Sequence, residues 1–542
     1  MNLMENTTEK KLRGAFYTPS TIAKFVLKWA VNGNKNYDIL EPCCGDVSFL
    51  RQIQKNDFAY KSMTAVEIDP LESKKAKDLK LPNTKIINGD FYQYCNTTND
   101  KFNLIIGNPP YIRYQYFDKD QRAIAEKIFI KMNLKYSKLM NPWVSFIVGS
   151  SMILKEKGKI GFVVPAEILQ VSYAKELRNF LARFYNKISI ISFRKLVFPE
   201  AQQEVVLLLC EKDQSKKHLI EHLEVDTDDD LEKIDVSKIK CPKKKIDFKS
   251  NKWTFYFLEQ NEIDFIEKML REKSVRQLRD FAKVEVGITT GFNKFFSITK
   301  STMNEFGLEK YVKPLVGRSA NVPSLIFEKS DWKFNVENDA KAYLLTFPTR
   351  SKIKGKPLTY IKNGEKEGIQ NLYKCSVRNE WHIVPSIRIS DALFLRRNNI
   401  YPKFTLNSAK ALTTDTMHRV TVNKNKDIIT NKKIKLKSLI ASYYNSLSLA
   451  FTEICGRSHG GGALELMPNE VEDVLIPYNE KNDKILLKID TMIRDKVDIN
   501  EILAYTDEIV LKKGFGFSDS EIKIANDIWK KLLKRRLNRT KK

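Results

Sequence analysis

The chain has 542 residues, too long for one ordinary domain, and its 42% hydrophobic and 11% aromatic content excludes a disordered polypeptide. No window approaches the roughly 20 uninterrupted apolar residues of a membrane span, and the N-terminal MNLMENTTEKKLRG lacks the apolar stretch of a secretory signal. Lys and Arg total 93 against 66 Asp and Glu; the net charge of +27 suits a polyanionic partner, with a Lys-rich proteome that only keeps its proteins soluble as the plainer alternative.

From Tyr37 to Lys212 short apolar runs alternate with helix-like stretches. YDIL (37–40), MTAVEI (63–68), KII (85–87), FNLIIG (102–107), KIGFVVP (159–165), ISIISF (188–193) and EVVLLLC (204–210) read as strands. TIAKFVLKWA (21–30) and WVSFIVGSSMILKEKG (143–158) read as helices. The alternation predicts an α/β fold with a mixed, mostly parallel, seven-stranded sheet covered on both faces. The connection FRKLVFPEAQQ is too short for a helical crossover, so the last two runs are expected to pair antiparallel at or near one edge. From Asp213 to Lys252 dense charge of both signs predicts an exposed connector or insertion. Trp253 to Tyr478 reads as a separate α+β domain, with VEVGITTG, WHIVP and HRVTV as strands. The remainder is helix-like, and its closing KKLLKRRLNRTKK reads as a solvated helix end. Seven scattered cysteines, none in a CxxC pair, suggest neither a disulfide framework nor a zinc site.

A nucleotide-like ligand on such a sheet binds at the carboxyl ends of the strands. The first strand is followed by Glu41-Pro42-Cys43-Cys44-Gly45-Asp46, the second by Glu67-Ile68-Asp69, the third by Gly89-Asp90-Phe91 and the fourth by Asn108-Pro109-Pro110-Tyr111. A carboxylate closing the second strand can accept from two ribose hydroxyls, and one after the third can accept from an adenine amine. The first loop has no glycine-rich cradle for a pyrophosphate and carries an extra acid. The ligand should therefore bring ribose and adenine without phosphates, which S-adenosylmethionine does. Each acid taken singly is as well explained as a helix cap; their recurrence at successive strand ends favours the ligand site.

GAFYTP (14–19), ILEPCCGD (39–46), AVEID (65–69), GDF (89–91), NPPY (108–111), GFVVP (161–165) and FP (198–199) occur in that order. The set resembles the γ-class DNA adenine-N6 methyltransferases of restriction–modification systems, over roughly residues 14 to 212. The resemblance implies a Rossmann-like class I methyltransferase domain in residues 1–245. It implies that Thr18, Glu41 and nearby backbone, with Cys43 and Gly45, hold the methionine end of S-adenosylmethionine. Glu67 takes the ribose, Asp90 beside Phe91 the adenine amine, and Ile68 and Phe146 sandwich the ring; Asn108 counts with both the cofactor and the catalytic residues. Where the family usually has a glycine this chain has Val47, whose β-carbon is expected to crowd the cofactor loop.

An adenine amine is a poor nucleophile because its lone pair is delocalised into the ring. Two acceptors on its hydrogens, the Asn108 side-chain oxygen and the Pro109 carbonyl, favour a tetrahedral nitrogen. Pro109 and Pro110 hold the backbone rigid, and Tyr111 offers a flat face. The base must leave the duplex to reach this pocket, and Phe198 matches the family position that stacks on it. VEVGITTGFNKFF (284–296), YVKPLVGR (311–318) and GGGALELMPNEVEDVLIP (460–477) resemble segments of the same family's target-recognition domain, placed at 246–480, with a helical region at 481–542. Asn293, Lys294, Arg318, Arg457 and Ser458 are candidate base readers, with phosphate contact or solvation the alternative for each. The tetrad also occurs in protein-glutamine and some RNA methyltransferases, and a DNA-binding module with weak turnover is an alternative of another class. The expectation is a cytoplasmic, nucleoid-associated prokaryotic enzyme acting on double-stranded DNA as a monomer. It carries no nuclease domain and no metal, and a separately encoded endonuclease is a candidate partner.

Overall fold

The structure is a computed structural model, and it describes residues 17–538 apart from 34, 199–203, 214, 216, 237–242, 246–251, 424–426, 430 and 459–461. Residues 14–16 of GAFYTP, Pro199, Gly460 and Gly461 thus lie outside the described residues. The chain divides after Gln260 into two compact units.

In the first unit, nine strands form one sheet: β1 (Asp38–Glu41), β2 (Ser62–Glu67), β3 (Thr84–Asn88), β4 (Phe102–Gly107), β5 (Leu154–Pro165), β6 (Lys187–Phe193), β7 (Val205–Glu211), β8 (Leu219–Val225) and β9 (Lys243–Lys245), in the order β3-β2-β1-β4-β5-β7-β6-β8-β9. The first seven have the strand order of the class I methyltransferase domain. β1 to β5 run parallel, and β7 inserts antiparallel between β5 and β6, with Pro165 opposite Val205 and Ile188 opposite Cys210. The expected antiparallel pair is therefore present.

All seven expected strands are present, and among the described residues two more extend the sheet. β8 pairs parallel with β6 and β9 antiparallel with β8, so part of the predicted connector belongs to the sheet. Its sequence, LIEHLEV then KKK, lacks an apolar run because only Ile220 and Glu221 of β8 are buried. Strands toward an edge face water and carry charge.

Helices cover both faces. In α1 (Ser20–Val31), Ile22, Ala23, Val26, Leu27 and Ala30 are buried and join the core beneath β1 and β4. α2 (Ser48–Asn56), α3 (Pro70–Asp78) and α4 (Phe91–Thr97) each follow a strand of the parallel half, and α5 (Lys119–Lys131), α6 (Pro142–Met152) and α7 (Lys175–Phe184) follow NPPY and β5. The helix expected over 143–158 ends at Met152, and Leu154 onward is strand, because Phe102 and Leu154 pair across β4 and β5. Backbone and side-chain bonds (Trp253 N to the Leu169 carbonyl at 2.7 Å, Lys244 Nζ to the Tyr256 carbonyl at 2.6 Å) fasten the stretch before Gln260 to this unit.

The second unit is α+β. Ala282–Val286, Met417–Val422, Ala392–Leu395 and Phe404–Leu406 form one four-stranded sheet; Ser297–Ile298, Tyr343–Leu345, Val312–Val316 and Leu412–Thr413 form another. WHIVP is not a strand. It is turn and coil, where Trp381 packs on Phe295 at 5.1 Å and His382 bonds the Pro348 carbonyl; packing into the core overrides its β propensity. The C-terminal region is helical, with helices Asp483–Arg494, Ile499–Asp507 and Asp519–Asn538. The last is not a merely solvated end, since Ile528, Trp529, Leu532 and Arg536 are buried.

Candidate active site

The order β3-β2-β1-β4 brings the loops after four strands side by side. β1 ends in Glu41, which is 1% exposed, and β2 ends in buried Glu67. Gly45 N donates to Glu67 Oε2 and Asp69 N to Oε1, both at 2.8 Å, so the second acid clamps the first loop. That loop turns tightly: Cys44 N bonds the Val66 carbonyl at 3.1 Å, and Gly45 (φ +47°) and Val47 (φ +62°) both take left-handed backbone. For a β-branched residue this conformation is a genuine outlier. The Val47 side chain is fully buried in the core, so its bulk is spent on packing. The Cys43 thiol donates to the Asn108 carbonyl at 3.3 Å and joins the first loop to the tetrad. Desolvation, with Glu67 and Glu41 adding, holds that thiol protonated far above its ordinary range.

Three carboxyls thus share one small region. Burial first, then Asp46 and Glu67, pushes Glu41 well above the usual carboxylate range. Burial raises Glu67 and Asp46 as well, against the backbone and Ser48 bonds that lower them. Glu41 Oε2 is buried with no hydrogen-bond partner among the described residues. A buried acid in that state costs free energy until a cation or donor reaches it.

Asp69 and Asp90 do cap helices. Asp69 Oδ1 accepts from Leu71 N at 2.8 Å, and Asp90 Oδ1 from Tyr92 N at 2.6 Å and Gln93 N at 3.1 Å. The other Asp90 oxygen takes the Gln121 side-chain amide from α5. A carboxylate has about four acceptor sites, so capping leaves room for a ligand amine. Ile68 is 59% exposed, a lone apolar side chain between acids, while Phe146 is buried and stacked on Phe91 at 4.9 Å. Thr18 is buried just before α1.

The tetrad is pinned from three sides. Tyr111 donates to the Val163 carbonyl of β5 at 3.1 Å, and its ring packs on the core cluster that contains Phe198. Beyond it, Tyr114 N donates to Asn141 Oδ1 at 2.9 Å, Asn141 Nδ2 to the Tyr173 hydroxyl at 2.9 Å, and that hydroxyl to Glu167 Oε2 at 2.5 Å. Arg122 Nη2 holds the Tyr114 and Phe117 carbonyls at 2.6 and 3.1 Å. Sequence reasoning missed Asn141, Tyr173, Glu167 and Arg122, whose partners are 5 to 32 residues away and follow no motif spacing.

Among the second-unit candidates, Asn293 is tied to Asp415 Oδ1 at 2.9 Å and Thr290 at 2.5 Å. Arg457 is tied to buried Glu470 at 2.8 Å, and Ser458 pairs with Leu464 in a short strand. Lys294 and Arg318 are exposed.

Residues 21–198 match the family model of the Eco57I restriction-modification methylase, and residues 250–511 match that of the C-terminal domain of the Type II methyltransferase M.Eco57I. The chain belongs to this methylase family. The Type II methyltransferase M.AccI of Acinetobacter calcoaceticus is 25% identical over 528 residues, which span 90% of this chain and 94% of that protein. M.HincII of Haemophilus influenzae is 30% identical over 198 residues, only 36% of either protein. The nuclease-deletion mutant of the Type ISP restriction-modification enzyme LlaGI, solved with a DNA substrate mimic, matches at TM-score 0.51 and 15% identity, over 88% of this chain and 55% of that one; the likeness is one of fold. The methylase family explains why both matched segments, first unit and second, occur together in this order.

Proposed function

We propose that this methylase is a site-specific DNA adenine-N6 methyltransferase that moves a methyl group from S-adenosylmethionine to an adenine flipped out of a short duplex sequence. The observation that carries the reading is that Glu41, whose Oε2 is buried without a hydrogen-bond partner among the described residues, lies two residues before Cys43, which bonds the Asn108 carbonyl of the tetrad. A buried anionic pocket fits the cationic methionine end of the cofactor, and Glu67 and Asp90 fit ribose and adenine amine, with Ile68 against the ring. Bound S-adenosylmethionine would supply an electrophilic methyl group on a positive sulfonium. The residues do the rest. Asn108 and the Pro109 carbonyl accept the amine hydrogens and direct the nitrogen lone pair. Tyr111, its hydroxyl already committed to Val163, and Phe198 in the same cluster give the base apolar faces. Catalysis by position and fixed dipoles needs neither a metal nor a cysteine nucleophile.

The +27 charge supports a polyanionic partner, which double-stranded DNA is, and the names of M.AccI and M.HincII as Type II methyltransferases support a companion endonuclease. We take the working form to be a monomer, with residues 246–480 reading the target and 481–542 bracing it. The test is to express the chain in a methylation-free host and map N6-methyladenine, beside Asn108→Ala. One short motif methylated by the parent and about 100- to 1,000-fold less by the variant is expected. Unmodified DNA from soluble protein that binds S-adenosylmethionine overturns the DNA assignment and turns attention to RNA or protein glutamine.

A further inference from the structure

Three cations of the second unit, Lys341, Arg318 and Lys294, lie near one another. Lys341 lies just before the strand Tyr343–Leu345, and Gly317-Arg318 follows the neighbouring strand Val312–Val316, with Leu315 N bonded to the Ala342 carbonyl at 2.8 Å. Gly317 is so close that a β-carbon there would meet the Lys341 carbonyl oxygen at 2.3 Å. Any side chain at 317 would force a shift where these two strands meet. From the other direction Lys341 Nζ donates to the Lys294 carbonyl at 3.2 Å. Lys341 is half-buried, and Arg318 and Lys294 are exposed.

Among the described residues none of the three has a carboxylate within ion-pair distance. Arg536, Arg494 and Arg276 of this unit do have one, Glu453, Asp490 with Asp331, and Asp427, whereas Arg419 and Lys403 are each met by two backbone carbonyls and Lys341 by only one. Desolvation first, then the Arg318 and Lys294 charges, lowers the Lys341 pKa. Half-burying an ammonium beside two like charges costs stability unless an anion arrives to offset it. With one proton on the Lys294 carbonyl, Lys341 keeps two donors, and Arg318 presents a planar fork suited to phosphate oxygens.

We propose that Lys341, Arg318 and Lys294 form a clamp for the phosphodiester backbone of duplex DNA, holding register rather than reading bases. This rests on the DNA-methyltransferase reading above. It reassigns Lys294 and Arg318 from base readers to phosphate holders and adds Lys341, which no motif marks.

The test uses the full chain with its cognate duplex and a scrambled one, titrated by fluorescence anisotropy from 50 to 200 mM salt. Lys341→Gln, Arg318→Gln and Lys341→Arg are compared with the parent, after a thermal melt confirms folding. Each Gln variant should lower the slope of log K against log salt by about one, weaken both duplexes equally and leave the methylated motif unchanged. Lys341→Arg should restore most of the slope. Arg318 is exposed, so its variant decides the matter if Lys341→Gln does not fold. Slopes equal to the parent's overturn the clamp while leaving the enzyme intact. Weakening confined to the cognate duplex, or a changed motif, overturns it in favour of base reading. A parent that binds neither duplex overturns the DNA assignment itself, and the clamp with it.

Discussion

A set of paired ions in the second unit and the strand-end acids of the first bury charge in opposite ways, although Glu221 of the first unit is itself paired with Lys187 at 3.6 Å. In the second, Arg536 is 2% exposed and meets Glu453 twice, at 2.6 and 3.1 Å. Arg494 bonds Asp490 at 2.8 Å and Asp331 at 2.8 and 3.0 Å, and Arg457 bonds Glu470. In the first, Glu41, Asp46 and Glu67 crowd one loop without a cation bonded to any of them among the described residues. A paired buried ion serves architecture: it fixes one arrangement of helix and loop. An unpaired buried acid is tolerated only where something else supplies the counter-charge part of the time. The contrast supports the proposed site on grounds independent of any motif.

The largest effect should come from breaking a scaffold pair. Arg536→Met leaves Glu453 buried and alone, and should cost about 3–5 kcal/mol in denaturant unfolding of the second unit. Glu453→Leu in the same chain should recover most of that loss, because both desolvation costs vanish together. A single variant as stable as the parent would break the comparison on its architectural side.

The site side answers with the opposite sign. Glu41→Gln removes a buried acid that no cation in the free protein offsets once it ionises, so the free protein should be as stable as the parent or more so. Its affinity for S-adenosylmethionine should fall about 10- to 100-fold, the range for a lost bond to a charged group. Calorimetric titration and thermal melts read the two halves separately. pH sharpens the point. Folded Glu41 keeps its proton to a higher pH than the unfolded chain does. Between those two values the folded state holds more protons, and stability falls as pH rises. The free parent should therefore lose stability upward from about pH 4.3, the unfolded glutamate value. Saturating S-adenosylmethionine should flatten that slope, and Glu41→Gln should reduce it without ligand. An unchanged slope in the variant would place the titration on other groups.

The same division governs what could be read from the sequence. The strand ends were legible because parallel strands buried on both faces are continuous apolar runs, and whatever follows them stands out. Glu41, Glu67, Asp90 and Asn108 stand at or just after such ends. β8 and β9 were not legible, since a strand half in water carries no such run. The brace of Tyr114, Asn141, Tyr173 and Glu167 and the pair of Arg536 with Glu453 depend on contacts across 6 to 83 residues. Arg536 sits inside a basic string, KKLLKRRLNRTKK, where charge alone suggests solvent. Only the helix phase that aligns it with Ile528, Trp529 and Leu532 turns it inward.

Val47 tests the comparison most finely, because it lies in the loop of unpaired acids yet belongs to the core. Its left-handed backbone costs about 1–2 kcal/mol, which glycine would relieve. Its buried side chain contributes about 1.5–3 kcal/mol, which glycine would forfeit, and glycine adds about 0.5–1 kcal/mol of chain entropy to the unfolded state. Packing wins this sum, so Val47→Gly should destabilise the free protein by about 1 kcal/mol. The side chain is fully buried in the core cluster, and so the affinity for S-adenosylmethionine should change less than about threefold, under 1 kcal/mol. A gain in affinity beyond tenfold would mean that the valine does crowd the ligand, and that strain in this loop belongs to the site rather than to the scaffold.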